Sequence, residues 1–387
     1  MSPVEFEFAT AGRILFGPGS SEQLPSLAQG LGSTALLVLG RSRRHGEALS
    51  ARLASSGVRS LIFSVNAEPT THLVDEAAAM ARRQSCDLVI AVGGGSVIDT
   101  GKAVAAMLTH PGVVLDYLEL VGGGKPLTRP CVPWIAVPTT AGTGTEVTRN
   151  AVLGVPEHQV KASLRGYHLL PSMAVIDPEL SRSLPPEITA YTGMDALTQL
   201  IEPFVSNAAN PLTDGVCREG LALAARSLAI AFHAGSDLAA RQDMCAAALF
   251  SGIALANAKL GAVHGLAGVL GGTTGHPHGA ICARLLPFVM EANIRALRDA
   301  RARAATLSRY AEVARILTGN SSARAADGVE WVQALGTELK IPPLRVAGLT
   351  VSECSRIIPT AQRASSMQGN PVKLSDQELL EILERAI

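Results

Sequence analysis

Along the first half of the chain, short aliphatic and β-branched runs alternate with segments whose apolar positions recur every three to four residues. ALLVLG (35–40) reads as a strand, followed by a helical pattern to about residue 56. SLIFSV (60–65) reads as a second strand, followed by a helix over THLVDEAAAMARRQ, and DLVIAVGGG (87–95) as a third, followed by SVIDTGKAVAAML. WIAVPTT (134–140) and MAVIDP (173–178) read as further strands. Apolar strands separated by amphipathic helices predict a parallel sheet covered on both faces. From about residue 186 the pattern changes: DGVCREGLALAARSLAIAFHA and ALRDARARAATLSRYAEVARIL keep helical periodicity without strand punctuation. The expected class is α/β followed by all-α, with an α/β domain over residues 1–185 and an all-helical domain over 186–387.

A length of 387 residues suits two domains. Hydrophobic residues make up 47% and charged residues 17%, so the chain can bury sizeable cores. Lys+Arg 33 balances Asp+Glu 33, and no net field recruits nucleic acid or an anionic membrane. Small molecules are the expected ligands. The six cysteines (Cys86, Cys131, Cys217, Cys245, Cys282, Cys354) show no CxxC and no tight framework, which predicts reduced cytoplasmic thiols that mostly fill cores. Glu5, Glu7 and Arg13 interrupt the N-terminus where a signal peptide needs an apolar run. The uncharged stretch between Lys259 and Arg284 is long enough to span a bilayer, but its seven glycines, three histidines and proline make a poor lipid-facing helix.

GGGSVIDTGK (93–102) ends a predicted strand and opens a predicted helix. Glycines let the backbone approach a ligand, and a helix N-terminus presents unpaired N–H groups, so Gly93, Gly94, Gly95 and Ser96 suit a phosphate. A tight strand-to-helix turn is the plain alternative. VPTTAGTGTEVT (137–148) follows another strand and packs five threonines and two glycines into twelve residues. Two such loops place a nucleotide at the carboxyl edge of the sheet, a Rossmann-like arrangement, although neither GxGxxG nor a P-loop is present. The turn after the first strand offers Gly40, Arg41, Ser42, Arg43 and Arg44 where NAD-binding pockets carry an acidic residue. Guanidinium donors there suit a 2′-phosphate and favour NADP over NAD, with a solvated basic turn as the plain alternative.

His264 and His278 lie 14 residues apart, with Gly271, Gly272 and Gly275 expected to let the chain reverse between them. Imidazole is the commonest metal ligand and catalytic sites usually add a carboxylate. Asp195, in the helical stretch YTGMDALTQLIEPF, supplies one, with Gln199 at i+4 on the same face. An unpaired carboxylate in so apolar a segment would be costly, which favours a functional role. Phe204, His168 and Met367 are guesses at substrate-facing walls.

In their order, GGGSxxDxxK, PTTAGTGxExT, TGMDALT and GxxHGLA…PHG resemble the iron-dependent (group III) alcohol dehydrogenase family. The likeness runs over essentially the whole chain, from GRILFGPGS to GNPVKLS. It implies a dehydroquinate synthase-like architecture: an N-terminal Rossmann-like nucleotide-binding domain, an all-helical C-terminal domain, and a cleft holding NAD(P) and a divalent metal, Fe2+ or Zn2+. By position it implies nucleotide contacts at Gly94, Gly95, Ser96, Thr139, Thr140, Thr143 and Thr148, with Asp99 and Lys161 on the cofactor side. It also implies a homodimer, with the N-terminal EFEF segment as an edge strand. The family's four metal ligands are an aspartate, a histidine four residues later and two later histidines. Asp195, His264 and His278 match, but Gln199 holds the second position, and Gly268 stands where a further histidine often follows HGLA.

Three readings stand open. The metal is held by Asp195, Gln199, His264 and His278; or it is absent and His264 or His278 donates a proton; or catalysis has been lost. His276 matches no family ligand. The expected activity is reversible hydride transfer between nicotinamide and an alcohol/aldehyde or ketone pair. The rivals are a metal-independent maleylacetate-reductase-like enzyme, a lyase of the dehydroquinate-synthase type, and a decayed nucleotide-binding protein.

Overall fold

The computed structural model describes residues 5–40, 43–158, 160–298 and 304–387. These residues form two compact units, one of Ala9–Thr140 and Gly144–Arg182, the other of Ser183–Ile387 together with Ala141–Thr143 and the N-terminal segment ending at Phe8.

The α/β unit is built on a six-stranded parallel sheet. Its strands are β1 (Ile14–Phe16), β2 (Thr34–Leu39), β3 (Arg59–Ser64), β4 (Leu88–Gly93), β5 (Trp134–Pro138) and, later in the chain, β8 (Met173–Ile176). They lie in the order β1-β8-β5-β4-β2-β3. Between strands run α1 (Leu24–Gln29), α2 (Arg43–Ser55), α3 (Thr71–Arg83) and α4 (Gly95–Met107). The continuous apolar strands are buried on both faces: Leu36, Val38, Val89 and Ala91 pack into one core, and Ala35, Leu37, Leu88 and Ile90 into the other. Gly101 brings α4 down onto β4, where a methyl group would lie 2.6 Å from Ala91 Cβ. Strand order reverses between β2 and β4, the switch point at whose carboxyl ends such sheets bind ligands.

An antiparallel hairpin, β6 (Asn150–Val155) with β7 (Val160–Arg165), had no counterpart in the sequence reading. Its six-residue strands alternate buried and accessible positions around a short 3-10 turn. The predicted third strand stops at Gly93, because Gly94 is already the extended N-cap of α4. Glu5–Phe8 form no strand within the chain; the reading of EFEF as a strand paired across a dimer edge concerns a second copy.

The helical unit contains α5 (Pro186–Val205), α6 (Pro211–His233), α7 (Leu238–Asn257), α8 (Ala262–Thr274), α9 (His278–Arg298), α10 (Ala304–Thr318), α11 (Ala325–Glu338), α12 (Val351–Arg363) and α13 (Asp376–Ala386). Helix α5 is its centre, buried almost throughout from Thr189 onward. Glycines let its neighbours close in: Gly220 of α6 faces Leu200, and Gly193 of α5 faces Leu228. Among the described residues no single helix is long and apolar enough to cross a membrane.

Candidate active site

At the carboxyl edge of the sheet, β2, β4 and β5 end side by side. Gly94 caps α4 without a side chain, leaving the first N–H groups of Gly95 and Ser96 facing outward from the helix start. The Thr139 N–H continues the ladder to Gly93 O at 2.9 Å, and Thr140 lies against Gly94. Gly40 sits 3.8 Å, measured from its absent Cβ, from Val97 in the first turn of α4. Gly40, Gly94, Gly95, Ser96, Thr139 and Thr140 therefore share one edge. Arg41 lies outside the described residues. Thr143 belongs with the helical unit.

Behind this edge lies a network centred on Lys102, to which sequence reasoning gave no role. The ammonium is fully buried and donates to Thr145 O (2.8 Å), Thr145 Oγ1 (2.9 Å), Thr148 Oγ1 (2.8 Å) and Asn150 O (2.7 Å). Asp99 stands 3.8 Å from it and accepts from Thr145 Oγ1 and from the Val152 N–H. Asp99 and Thr148 thus tie α4 to the hairpin. Burial lowers the Lys102 pKa to about 8 and pushes the neighbouring Glu146 carboxyl up to about 7. Lys161, on β7, pairs with Glu68 at 2.6 Å.

In the helical unit Asp195 and Gln199 project from α5, His264 from the first turn of α8, and His278 from the start of α9. Two glycines make the approach possible. A side chain on Gly279 would strike Tyr191 O at 2.3 Å, and one on Gly261 would strike Glu202 Oε1 at 2.7 Å. Asn370, in the GNPVKLS segment, fixes the start of α8 by accepting from the Ala262 N–H at 3.1 Å. The reversal between the histidines is narrower than expected. Gly271 and Gly272 are helical, and only Gly275, at φ 67°, adopts the left-handed cap.

The donor atoms of Asp195, His264, His278 and Cys282 all lie within 4.8 Å of one another. His264 Nε2 is 3.4 Å and His278 Nε2 3.9 Å from Asp195 Oδ1, while Cys282 Sγ is 3.5 Å from His278 Nε2. Glu202 accepts from His264 Nδ1 at 2.6 Å and from the Val263 N–H at 2.7 Å, so His264 turns Nε2 toward the cluster. Gln199 donates its amide to Asp195 Oδ2 at 2.9 Å, and its oxygen faces the Ser251 hydroxyl at 3.4 Å. Asp195 Oδ1 and His264 Nε2 are left without a hydrogen-bond partner, in residues only 2% and 7% exposed. Two orphaned lone-pair atoms converging beside an imidazole and a thiol fit a divalent cation.

Burial disfavours ionised forms here, yet the neighbours outweigh it. The Cys282 sulfur and Glu202 carry His264 well above the ordinary histidine range, and Cys282 and Asp195 raise His278. The imidazoles hold Asp195 below the usual carboxylate value. His278 keeps 38% of its side chain accessible. His276 is not part of the cluster, and Gly268 faces open space. Phe204 lines no open wall: it is fully buried, with the guanidinium groups of Arg309 and Arg218 at 4.2 and 5.1 Å from its ring centre. Met367 packs on Gly265. Sequence reasoning missed Glu202 and Cys282. Glu202 lies two turns after Asp195 on α5, and Cys282 one turn after His278 on α9.

A parallel sheet with a glycine-opened helix at its carboxyl edge, joined in one chain to a buried carboxylate–imidazole–thiol cluster, fits the class of nucleotide-dependent, metal-binding oxidoreductases. Comparison with known proteins narrows the class. The family described as iron-containing alcohol dehydrogenase matches residues 11–178, and its C-terminal counterpart matches 189–387. The 1,3-propanediol dehydrogenase of Klebsiella pneumoniae is 35% identical, with all of both chains covered. A crystal structure of a 1,3-propanediol oxidoreductase superposes with a TM-score of 0.91 at 34% identity, covering 99% of this chain and 100% of that one. The alcohol dehydrogenase from Oenococcus oeni gives 0.90 at 31% identity, with 99% and 100% covered. The chain belongs to the iron-containing alcohol dehydrogenase family and is an NAD(P)-dependent alcohol dehydrogenase or aldehyde reductase.

Proposed function

We propose that this enzyme interconverts a small alcohol and its carbonyl partner with metal assistance, using Asp195, His264 and His278 as the core of the metal site. The observation that carries the reading is the pair of orphaned buried atoms, Asp195 Oδ1 and His264 Nε2. A divalent ion bound there supplies Lewis acidity toward the substrate oxygen, and the nicotinamide supplies the hydride chemistry. The chain's own contribution is placement. The N–H groups of Gly95 and Ser96 at the start of α4 receive the pyrophosphate, and Gly40, Thr139 and Thr140 border it. Glu202 locks the tautomer of His264. Gln199, standing where the family has a histidine, fixes the rotamer of Asp195. Gly268 offers no acid, so proton transfer would fall to solvent or to a histidine of the site.

The arginines that follow the ALLVLG strand in sequence, at 41, 43 and 44, favour NADP over NAD. Steady-state rates for short alcohols and aldehydes with NADPH and NADH, on metal-loaded and chelator-stripped protein, test the reading. The expected result is activity that needs the metal, with the lower KM for NADPH. Undiminished activity after chelation would instead support a maleylacetate-reductase-like, metal-independent enzyme, and no turnover in any condition a decayed binder. A homodimer completes the proposal: the N-terminal segment leaves Phe6 and Phe8 44% and 36% exposed, and a monomer by light scattering would refute it.

A further inference from the structure

Resting on the metal reading above, we propose that Cys282 is the fourth ligand and that Gln199 is not a ligand at all. The site would then be a thiolate-bearing Asp–His–His–Cys centre. Cys282 follows His278 by one helical turn on α9, so both donors issue from one face. Its sulfur is fully buried and 3.5 Å from His278 Nε2. Donors at tetrahedral positions about a zinc-type ion are separated by about 3.3–3.8 Å, given bonds of about 2.0–2.3 Å. The 3.4 and 3.5 Å separations fall within that spacing, 3.9 Å lies just beyond it, and all four donors lie within 4.8 Å of one another.

The second, independent observation is the convergence of Asp195 Oδ1 and His264 Nε2, both buried and unpartnered, on the same point. Gln199 is committed elsewhere. Its N–H2 must face Asp195 Oδ2, because the reversed amide would set oxygen against carboxylate, and its oxygen then points to Ser251. Gln199 therefore orients the aspartate as a positioning residue. Ligation displaces the thiol proton to solvent, leaving two anionic and two neutral donors around a dication. A thiolate in the set selects a zinc-type ion over magnesium or manganese, and over ferrous iron by intrinsic affinity.

The test is X-ray absorption at the zinc edge on wild-type protein carrying one zinc, with electronic spectra of the Co2+-loaded wild type, Cys282→Ser and Gln199→Ala. The expected result is one sulfur scatterer at about 2.3 Å. A sulfur-to-cobalt charge-transfer band in the near ultraviolet should accompany it, lost in Cys282→Ser and kept in Gln199→Ala. Zinc affinity should fall in Cys282→Ser by more than the roughly 10–100-fold that loss of an outer partner costs. A bound ion with only nitrogen and oxygen donors, or a sulfur signal surviving in Cys282→Ser, overturns this proposal and leaves the metal reading standing. Wild-type protein that binds no stoichiometric ion and ignores chelators overturns both.

Discussion

The α/β unit and the helical unit each bury a group of charged side chains, and they treat them in opposite ways. Around Lys102 the ionised atoms are answered, although Asn150 Oδ1 and Trp134 Nε1 beside them have no partner. Four oxygens surround the ammonium, and both oxygens of Asp99 accept hydrogen bonds. Around Asp195 the pairing stops short: one carboxylate oxygen and one imidazole nitrogen are buried without a partner. A buried polar group that is left unpaired costs free energy unless something else completes it. The first network therefore reads as a strut joining α4 to the hairpin, and the second as a socket. Both clusters shift pKa values, so perturbed titration alone would not have separated them; whether the ionisable atoms themselves have partners does.

The sharpest way to break this contrast is Asp195→Asn. Activity should fall by about 10³-fold, the loss expected when several kcal/mol of charge stabilisation go. Saturating zinc should add about 4 kcal/mol to wild-type stability at 1,000 times its dissociation constant. It should add nothing to the variant, as thermal melts with and without metal would show. Lys102→Met should do the reverse. Breaking a buried charged network strands its partners and lowers unfolding free energy by about 3–5 kcal/mol in urea titrations, with zinc-induced stabilisation retained. A Lys102 variant that kept full stability but lost zinc binding would collapse the distinction between strut and socket.

The outline of both units was legible because their signals are local. Runs such as ALLVLG and DLVIAV are apolar at every position, since β2 and β4 are covered on both faces. The hairpin was not legible: NAVLGV and VKASLR are short and half-polar, and their partner is each other. In the site, Asp195, His264 and His278 stand out as polar residues in apolar or glycine-rich surroundings. Cys282 and Glu202 do not. A cysteine within an apolar helix looks like core filler, and a glutamate near a helix end looks solvated. Only the folding of α8 and α9 against α5 shows what they face. Gln199 illustrates the same limit, because its i+4 spacing from Asp195 suits ligation and hydrogen bonding equally. The amide's hydrogen bond to Asp195 is what favours the second.

Within the strut, Glu146 is the strained member, and pH exposes it. Its carboxyl, buried beside Lys102, titrates near 7 in the folded protein against 4.5 when exposed. A carboxylate with a raised folded pKa adds stability below the unfolded value, and that contribution is lost as pH climbs to the folded value. Glu146→Gln mimics the protonated form and escapes this loss. Its stability relative to wild type should therefore grow between about pH 4.5 and 7, by up to about 3 kcal/mol, and level off above. Melts across that range check it; a difference that does not change with pH would mean that Glu146 ionises freely.

The smallest expected effect belongs to Glu202, the residue through which the socket resembles the strut. It is fully engaged, one oxygen on His264 Nδ1 and the other on the Val263 N–H, and it touches no other member of the cluster. Its influence on the metal must pass through the imidazole it holds. In Glu202→Gln an amide oxygen can still accept from Nδ1, but the neutral group polarises the ring less, and its N–H2 opposes the Val263 N–H. Zinc affinity should drop roughly 10–100-fold, the usual consequence of losing a carboxylate behind a ligating histidine. Competition against a chromophoric chelator measures this directly. Glu202→Asp, which keeps the charge but shortens the reach, should recover part of the loss if charge matters and none if geometry alone does. Unchanged affinity in both variants would place His264 outside the metal set and leave its buried pairing with Glu202 as a strut of its own.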